Sequence, residues 1–310
     1  MKHPLHEGVI DRKEGRISIT DGTSDSAPDQ SIRHRYLGTG CPVVVAALSD
    51  DTATHFFKIC RQEDYPIIWL SYEDLYNNSI AFDAFRSAID NAPGIYFRES
   101  GDQRKSDTAV DAAIRAVVRR NENLLGPPRS ATNSNKPVHL DNLRTSTESS
   151  VTVPRTQIVS RIQNGRSKVM KAISGFPAFT IDAGPHEGCD GVGPLLLQEY
   201  LTGDELRIHA VDSDFVSHLL KKNDGIDYRV TGLAGLERVS ISSGEQDALR
   251  DMMEAEGVRF GGIDLIRSKN RLIVLELNPM PGYHPYEARD DDNPITEMIY
   301  KSLINNECAD

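Results

Sequence analysis

The stretch that most constrains this chain is "GGIDLIRSKNRLIVLELNPMPG", residues 261–282. Its apolar alternation predicts two antiparallel strands around "SKN", yet the first strand carries Asp264 and the second ends on Glu276 and Asn278. Strand side chains alternate faces with a period of two, so Glu276 and Asn278 share one face while Leu275 and Leu277 take the other. An odd-numbered connecting loop, such as Lys269-Asn270-Arg271, would set Asp264 opposite or diagonal to Glu276 on that face. An even loop would break the arrangement. Two carboxylates crowded on a largely apolar hairpin repel each other and are costly to desolvate unless a cation or a proton compensates them. Oxygen-only donors with no His or Cys nearby suit a hard divalent ion, Mg²⁺ or Mn²⁺, that keeps positions for water and substrate phosphates. An ordinary hairpin whose acids reach solvent at its edge fits the same spacing.

The remaining composition narrows the classes. With 310 residues the chain can form one large domain or two to three small ones. A formal charge of −11 argues against general binding to nucleic acid or an anionic membrane, though a local basic pocket can still hold phosphates. Cys41, Cys60, Cys189 and Cys308 fall at no metal or disulfide spacing, so reduced thiols in a cytoplasmic protein are expected. Residues 1–40 are polar, lack a signal-peptide core and read as a mobile N-terminal extension. No apolar run reaches membrane-spanning length.

Along the chain, "PVVVAALS" at 42–49, a helix from Asp51 to about Arg61 and "PIIWLS" at 66–71 predict the start of a parallel α/β unit. A strand at 94–100 and a helix at 107–125 complete an N-terminal α/β domain, 41–128, with a boundary around 126–134. The first strand is followed by "DDTATH", without the G-x-G-x-x-G of a dinucleotide-binding oxidoreductase. In the second region, 129–310, a short helix after "NKP" leads to a strand near 156–160. Strands at "SKVMKAIS" and "PLLLQEYL" are joined by a Gly- and Pro-rich loop, and "ELRIHAVDSDFVSHLLK" reads as a hairpin. A helix at 243–256, the opening hairpin and a closing amphipathic helix in "NPITEMIYKSLIN" follow.

Several cations and polar residues fit a nucleotide, each with a plainer alternative. Lys171 sits inside the apolar "VMKAI", where an ammonium needs an anionic partner unless it snorkels at an edge. Lys136, after "SN" at a helix start, is well placed for phosphate and equally for solvent. Gln198 and Glu199 end an apolar strand and offer hydrogen bonds to a purine, or simply close the strand. Glu205 and Arg207 share one face of the next strand, and "GIDYR" adds Arg229; either arginine can stabilise phosphoryl charge or pair with a surface acid. Tyr283, His284, Tyr286 and Glu287, just after the acidic strand, are candidates for substrate recognition or for a structured turn.

Taken in order, Lys136, Lys171, "QEYL", "DELR", "DYR", Asp264 and "ELN" resemble the ATP-grasp superfamily, nearest the RimK-type glutamate ligases and the ligases that cyclise microviridin-type peptides. The resemblance spans roughly residues 94–288; "NKPVHL" with "VPRT" is similar to the opening of the ATP-grasp region, and "GIYFRE" to the Arg98-bearing strand before it. It implies an α+β and α/β architecture: an ATP-grasp fold with an N-terminal α/β domain and a hinge near 198–203. It also implies ATP and two Mg²⁺ as cofactors, with Mn²⁺ as an alternative ion. Lys136 and Lys171 would contact phosphates, Lys171 lying also near the adenine, and Gln198, Glu199, Tyr200 and Leu201 would line the adenine-binding hinge. Glu205 would sit near the ribose, Arg207 and Arg229 at the transferring phosphoryl group, Asp264, Glu276 and Asn278 at the metal ions, and Arg98 at the substrate.

The activity implied is phosphorylation of a carboxylate to an acyl phosphate, with release of ADP, followed by attack of an amine on a small-molecule or peptide substrate. A hydroxyl acceptor would give an ester instead, and a non-catalytic ATP-binding regulator would use the same fold. A homo-oligomer is compatible with the resemblance. Three features depart from the family pattern: Arg229 is followed by Val-Thr where RimK-type enzymes carry Ser-Asn, both Gly175 and the Gly184–Gly193 stretch are candidates for the phosphate-covering loop, and "MPGYHPYE" at 280–287 differs from the tail of the peptide-cyclising ligases.

Overall fold

The computed structural model describes residues 27–99, 108–127, 136–146, 151–159, 168–172, 180–182, 195–222, 233–268, 271–288 and 292–305. Residues 1–26 of the expected extension, Arg229, Gly175 and the 184–193 stretch lie outside these, as does the side chain of Lys171.

Three sheets organise the described residues. The first joins β1 (Val43–Ala46), β2 (Ile68–Ser71), β3 (Ile95–Phe97) and β4 (Leu124–Leu125), all parallel, in the order β2-β1-β3-β4. Parallel strands need helices on both faces, which is why β1 to β3 are buried throughout. Val43, Val45, Ile68, Leu70 and Phe97 pack on one side, while Val44, Ala46, Trp69 and Tyr96 point to the other. That second side is covered by helix Asp51–Gln62 and by the C-terminal helix Pro294–Ile304, whose Ile295, Ile299 and Leu303 complete the cluster. The Asp50 carboxylate caps helix Asp51–Gln62 by accepting the Ala53 N–H at 2.8 Å.

The expected helix at 107–125 is shorter, Thr108–Val118. Asn121 and Asn123 turn the chain: the Asn123 N–H binds Asn121 Oδ1, and both side-chain amides donate to distant carbonyls. The freed residues become β4 beside β3.

The second sheet includes β5 (Val151–Thr152) at one edge and runs β12-β11-β10-β13-β14-β5. Its strands are β10 (Asp204–Val211), β11 (Asp214–Lys222), β12 (Leu233–Val239), β13 (Phe260–Ser268) and β14 (Arg271–Asn278). Only the β14–β5 pair is parallel. β10 and β11 form the expected hairpin, with Asp212 in the left-handed region at φ 51°. Helix Ser243–Ala255, opened by a Ser242–Glu245 capping box, covers one face through Ala248, Leu249, Met252 and Met253. β5 and β12 were not anticipated from the sequence.

The third sheet contains β6 (Thr156–Val159), β7 (Lys168–Ala172), β8 (Thr180–Asp182) and β9 (Leu195–Glu199) in the order β6-β9-β7-β8, all antiparallel. β8 interrupts the segment expected as one continuous loop between β7 and β9.

Candidate active site

β13 and β14 pair Ser268 with Arg271, so two residues connect them, an even number. A regular ladder from that turn would set Asp264 against Leu275 and throw Glu276 onto the other face. The structure avoids this with a bulge. Leu265 faces Val274, but Asp264 faces Glu276, leaving Leu275 as the extra residue. The parity of the core side changes with it, from Leu272 and Val274 before the bulge to Leu277 after it. Asp264, Glu276 and Asn278 therefore share the face opposite helix Ser243–Ala255.

Pairing across the sheet extends that face into a row, with His218, Arg207, Asp264 and Glu276 abreast on β11, β10, β13 and β14. In the next row stand His209, Gly262 and Asn278. Arg207, 6% exposed, donates from Nη1 to Asp264 Oδ1 at 2.7 Å and from Nε to His209 Nε2 at 3.4 Å. Its guanidinium carbon lies 5.9 Å from the centre of the Tyr286 ring. Gly262 makes room for it: a Cβ there would collide with Arg207 Nη2 and come within 2.5 Å of Pro281 Cβ. Burial, then the neighbouring Arg207 and His218, push His209 well below its ordinary pKa, so the ring is neutral. Among the described residues its Nδ1 has no partner of good hydrogen-bond geometry.

The donor set fits a hard divalent cation. Asp264 is only partly neutralised by Arg207, and among the described residues the Glu276 carboxylate has no hydrogen-bond or ion-pair partner. The Asn278 Oδ1 accepts the Met280 N–H at 2.9 Å, which fixes the amide and leaves the oxygen's second lone pair. Two carboxylates and an amide oxygen, all half-buried, match the oxygen ligation that Mg²⁺ prefers.

Helix Lys136–Ser146 is tied to the same strand. Beyond the end of β5, the Leu277 N–H donates to His139 Nε2 at 3.1 Å, so a side chain closes the ladder where a strand is missing. Burial, then Lys136, hold His139 down to about 4. Lys136 stands one helical turn before His139, half-buried, as the first residue of the helix.

The hinge residues meet local partners. Gln198 is buried and donates to Thr156 Oγ1 at 3.0 Å. Glu199 clasps Arg155, its carboxylate accepting the Arg155 N–H and its own N–H reaching the Arg155 carbonyl. Leu201 is half-buried and Tyr200 is exposed. Glu199 lines a cleft of about 910 Å³ that separates β6 and β9 from helix Lys136–Ser146. On β10, Glu205 forms an ion pair with Lys222, and β7 places Lys171 opposite Leu196 of β9.

Three residues expected at the substrate are enclosed and have partners within the protein. Arg98 is buried, donating to Asp50 Oδ2 at 2.7 Å, to the Tyr96 hydroxyl at 3.1 Å and to the Pro281 carbonyl at 3.0 Å. Glu287 accepts from the Thr296 backbone and hydroxyl, and its Oε2 lies 2.7 Å from His55 Nε2. The fully enclosed Tyr283 shares a hydrogen bond with Thr296. Enclosure and internal partners make all three supports of the junction between the first and second sheets. His284 belongs to the same junction, with Nδ1 3.3 Å from Thr52 Oγ1. Tyr286 reaches Arg207 on the acidic face, and Tyr283 meets the His209 ring edge-on with centroids 6.4 Å apart.

Sequence reasoning missed His209, His218, Lys222, Gly262 and His139. A signal existed for His209, since Glu205, Arg207 and His209 recur at period two. His139 carried none, because its partner is a backbone amide far along the chain.

The closing region matches a described family: residues 189–301 fit the RimK-like ATP-grasp domain. A probable alpha-L-glutamate ligase of Pasteurella multocida (strain Pm70) is 30% identical over 124 residues, 36% of this chain and 39% of that protein. One from Xylella fastidiosa (strain M12) is 28% identical over 111 residues, 34% of this chain and 37% of that protein. The chain thus spans about two fifths of the length of these curated relatives. Among solved structures, the ATP-grasp ligase PsnB complexed with minimal precursor superposes with a TM-score of 0.68 at 20% identity, covering 85% of this chain and 98% of that one. The macrocyclase MdnC bound with precursor peptide MdnA from Microcystis aeruginosa MRC gives 0.57 at 16%, covering 86% and 99%. The D-alanine–D-alanine ligase from Bacillus anthracis gives 0.54 at 12%, covering 85% and 97%.

Proposed function

This chain has the ATP-grasp fold, and from that premise we propose that it is an ATP-dependent ligase that activates a carboxylate as an acyl phosphate and joins it to an amine. The observation that carries the reading is the row Arg207, Asp264, Glu276, with Asn278 beside it, on one face of the second sheet. In the first step a carboxylate oxygen attacks the γ-phosphorus of ATP and ADP leaves with the bridging oxygen. In the second, the amine attacks the acyl carbon and phosphate departs, so no protein nucleophile is needed. Asp264, Glu276 and Asn278 would hold Mg²⁺, which supplies charge neutralisation at the phosphates when bound. Arg207, fixed at a buried position, would stabilise negative charge growing on the transferred group. Lys136 and Lys171 would bind phosphates, Arg229 would assist at the phosphoryl group, and Glu199 to Leu201 would contact the adenine.

A peptide carboxylate is the favoured substrate class. Two of the neighbours with this fold, PsnB and MdnC, are described in complex with precursor peptides, which supports the choice. An acceptor hydroxyl, giving an ester, would use the same first step.

The test is ATP turnover with Mg²⁺ and hydroxylamine against pooled acids and acidic peptides, with products read by mass spectrometry. ADP together with a hydroxamate is expected. AMP in place of ADP would contradict the acyl-phosphate route, and nucleotide binding without turnover on any acid would favour a regulatory module.

A further inference from the structure

We propose that His209 and Tyr286 are positioning residues that orient the Arg207 guanidinium, with Tyr286 held in turn by the N-terminal sheet's helix Asp51–Gln62. The role assigned to Arg207 rests on the ligase reading; the clamp itself rests on geometry.

The guanidinium is restrained from several directions. Asp264 takes Nη1, His209 takes Nε, and the guanidinium carbon lies over the Tyr286 ring, 5.9 Å from its centre. An arginine N–H can only donate, so His209 Nε2 must present its lone pair, which places the ring proton on Nδ1. Among the described residues that Nδ1 is buried with no partner of good hydrogen-bond geometry, and the Gly282 backbone is the polar group that bears on it. A leucine at 209 would not strand a polar atom in this way, and what the imidazole adds is the acceptor facing Arg207. Tyr286 packs against the same ring, with centroids 4.8 Å apart, and against His218 at 5.6 Å, so it closes the cluster from the side away from the sheet.

Tyr286 owes its place to its neighbours in the helix His284–Glu287. His284 meets Thr52, and Glu287 meets His55, both on helix Asp51–Gln62. Arg98, at the end of β3, holds the Pro281 carbonyl just before this helix. A side chain at the chemistry of the second sheet is thereby referenced to the first, and a shift between the two sheets would be felt at Arg207.

The experiment reads Arg207 directly. In full-length protein with ¹⁵N-labelled arginine, the Arg207 Nε–H resonance is assigned by its loss in Arg207→Lys. Wild type should show a shifted, slowly exchanging signal. His209→Leu and Tyr286→Leu should return it towards the position and rapid exchange of a free arginine, whereas His209→Gln and Tyr286→Phe, which keep the acceptor and the ring, should preserve it. A wild-type-like signal in either leucine variant would overturn the proposal for that residue. If a leucine variant does not fold, Tyr286→Met and His209→Met carry the same comparison. Turnover gives a separate reading: kcat should fall by about a hundredfold in the leucine variants with KM for ATP little changed. Absence of wild-type turnover on every acid would defeat the ligase reading and leave the resonance result to decide the clamp.

Discussion

Asp264 and Glu276 face each other across β13 and β14 because Leu275 is left out of the ladder. The two-residue connection and the two carboxylates on one face are incompatible in a regular hairpin, and one bulged residue reconciles them. Directly opposed side chains in a sheet stand with their Cβ atoms about 5 Å apart, a span that one cation can bridge.

Glu276→Gln is expected to keep the fold and to lower Mg²⁺-dependent ATP turnover by about a thousandfold or more, since it removes a charge from the ion's ligand set without changing its shape. Steady-state kinetics over a magnesium titration, with circular dichroism as the fold control, checks it. Near-normal turnover at low Mg²⁺ would sink the metal assignment.

Gly262→Ala should hurt function more than stability. The new Cβ meets Arg207 Nη2 and the rigid Pro281 ring, and the arginine is the part that can move. Overpacking of this kind costs about 1 to 3 kcal/mol, to be read from denaturant unfolding. Turnover should fall further than that loss explains, because the guanidinium is pushed from Asp264; unaltered kinetics would mean that Arg207 has slack.

His139 gives stability a defined pH dependence. Its pKa is about 4 in the folded protein against an ordinary 6.5, so as pH falls from 6.5 towards 4 the unfolded chain binds a proton that the folded one refuses. Stability from this group is complete above pH 6.5, is lost through that window and levels off below it. Between pH 7 and pH 5 the loss should be about 2 kcal/mol, by urea unfolding at each pH. His139→Gln, which can still accept the Leu277 N–H, should remove this component, and an equal pH dependence in both proteins would count against it.

Arg98→Met should destabilise by about 3 kcal/mol, because a partner of a buried ion pair is lost while Asp50 stays behind. The same variant frees the Pro281 carbonyl, so turnover should fall along with stability. A melting temperature equal to wild type would show that the junction does not depend on this contact.

Much of this was legible in the sequence because local periodicity and burial agree. "PVVVAALS" and "PIIWLS" read as buried parallel strands, and the helices beginning at Asp51 and Ser243 end within a residue or so of expectation. The acid-bearing hairpin was legible too, but by a wrong step: an odd loop was needed to align Asp264 with Glu276, and a bulge does that work instead. Bulges depend on twist and tertiary packing, which a single chain's alternation does not encode. Tyr283 and Glu287 read as substrate candidates because residues that follow a functional strand usually lie on the surface, and Arg98 because "GIYFRE" resembles the strand before the ATP-grasp region. Their partners, Asp50, Thr296 and His55, lie on other elements and become visible only in three dimensions.

The last helix has a bearing on how the protein is made. One face of the first sheet closes with segments that follow it promptly, but the face carrying Val44, Trp69 and Tyr96 is covered only in part by helix Asp51–Gln62 until Ile295, Ile299 and Leu303 are added. Tyr65 stacks on Tyr300, and Asn123 donates to the carbonyls of Ser302 and Leu303. During synthesis, therefore, the first sheet must wait with part of an apolar face exposed until helix Pro294–Ile304 has left the ribosome. Truncations ending before Pro294 are expected to need chaperones or to aggregate, whatever the integrity of their acidic face.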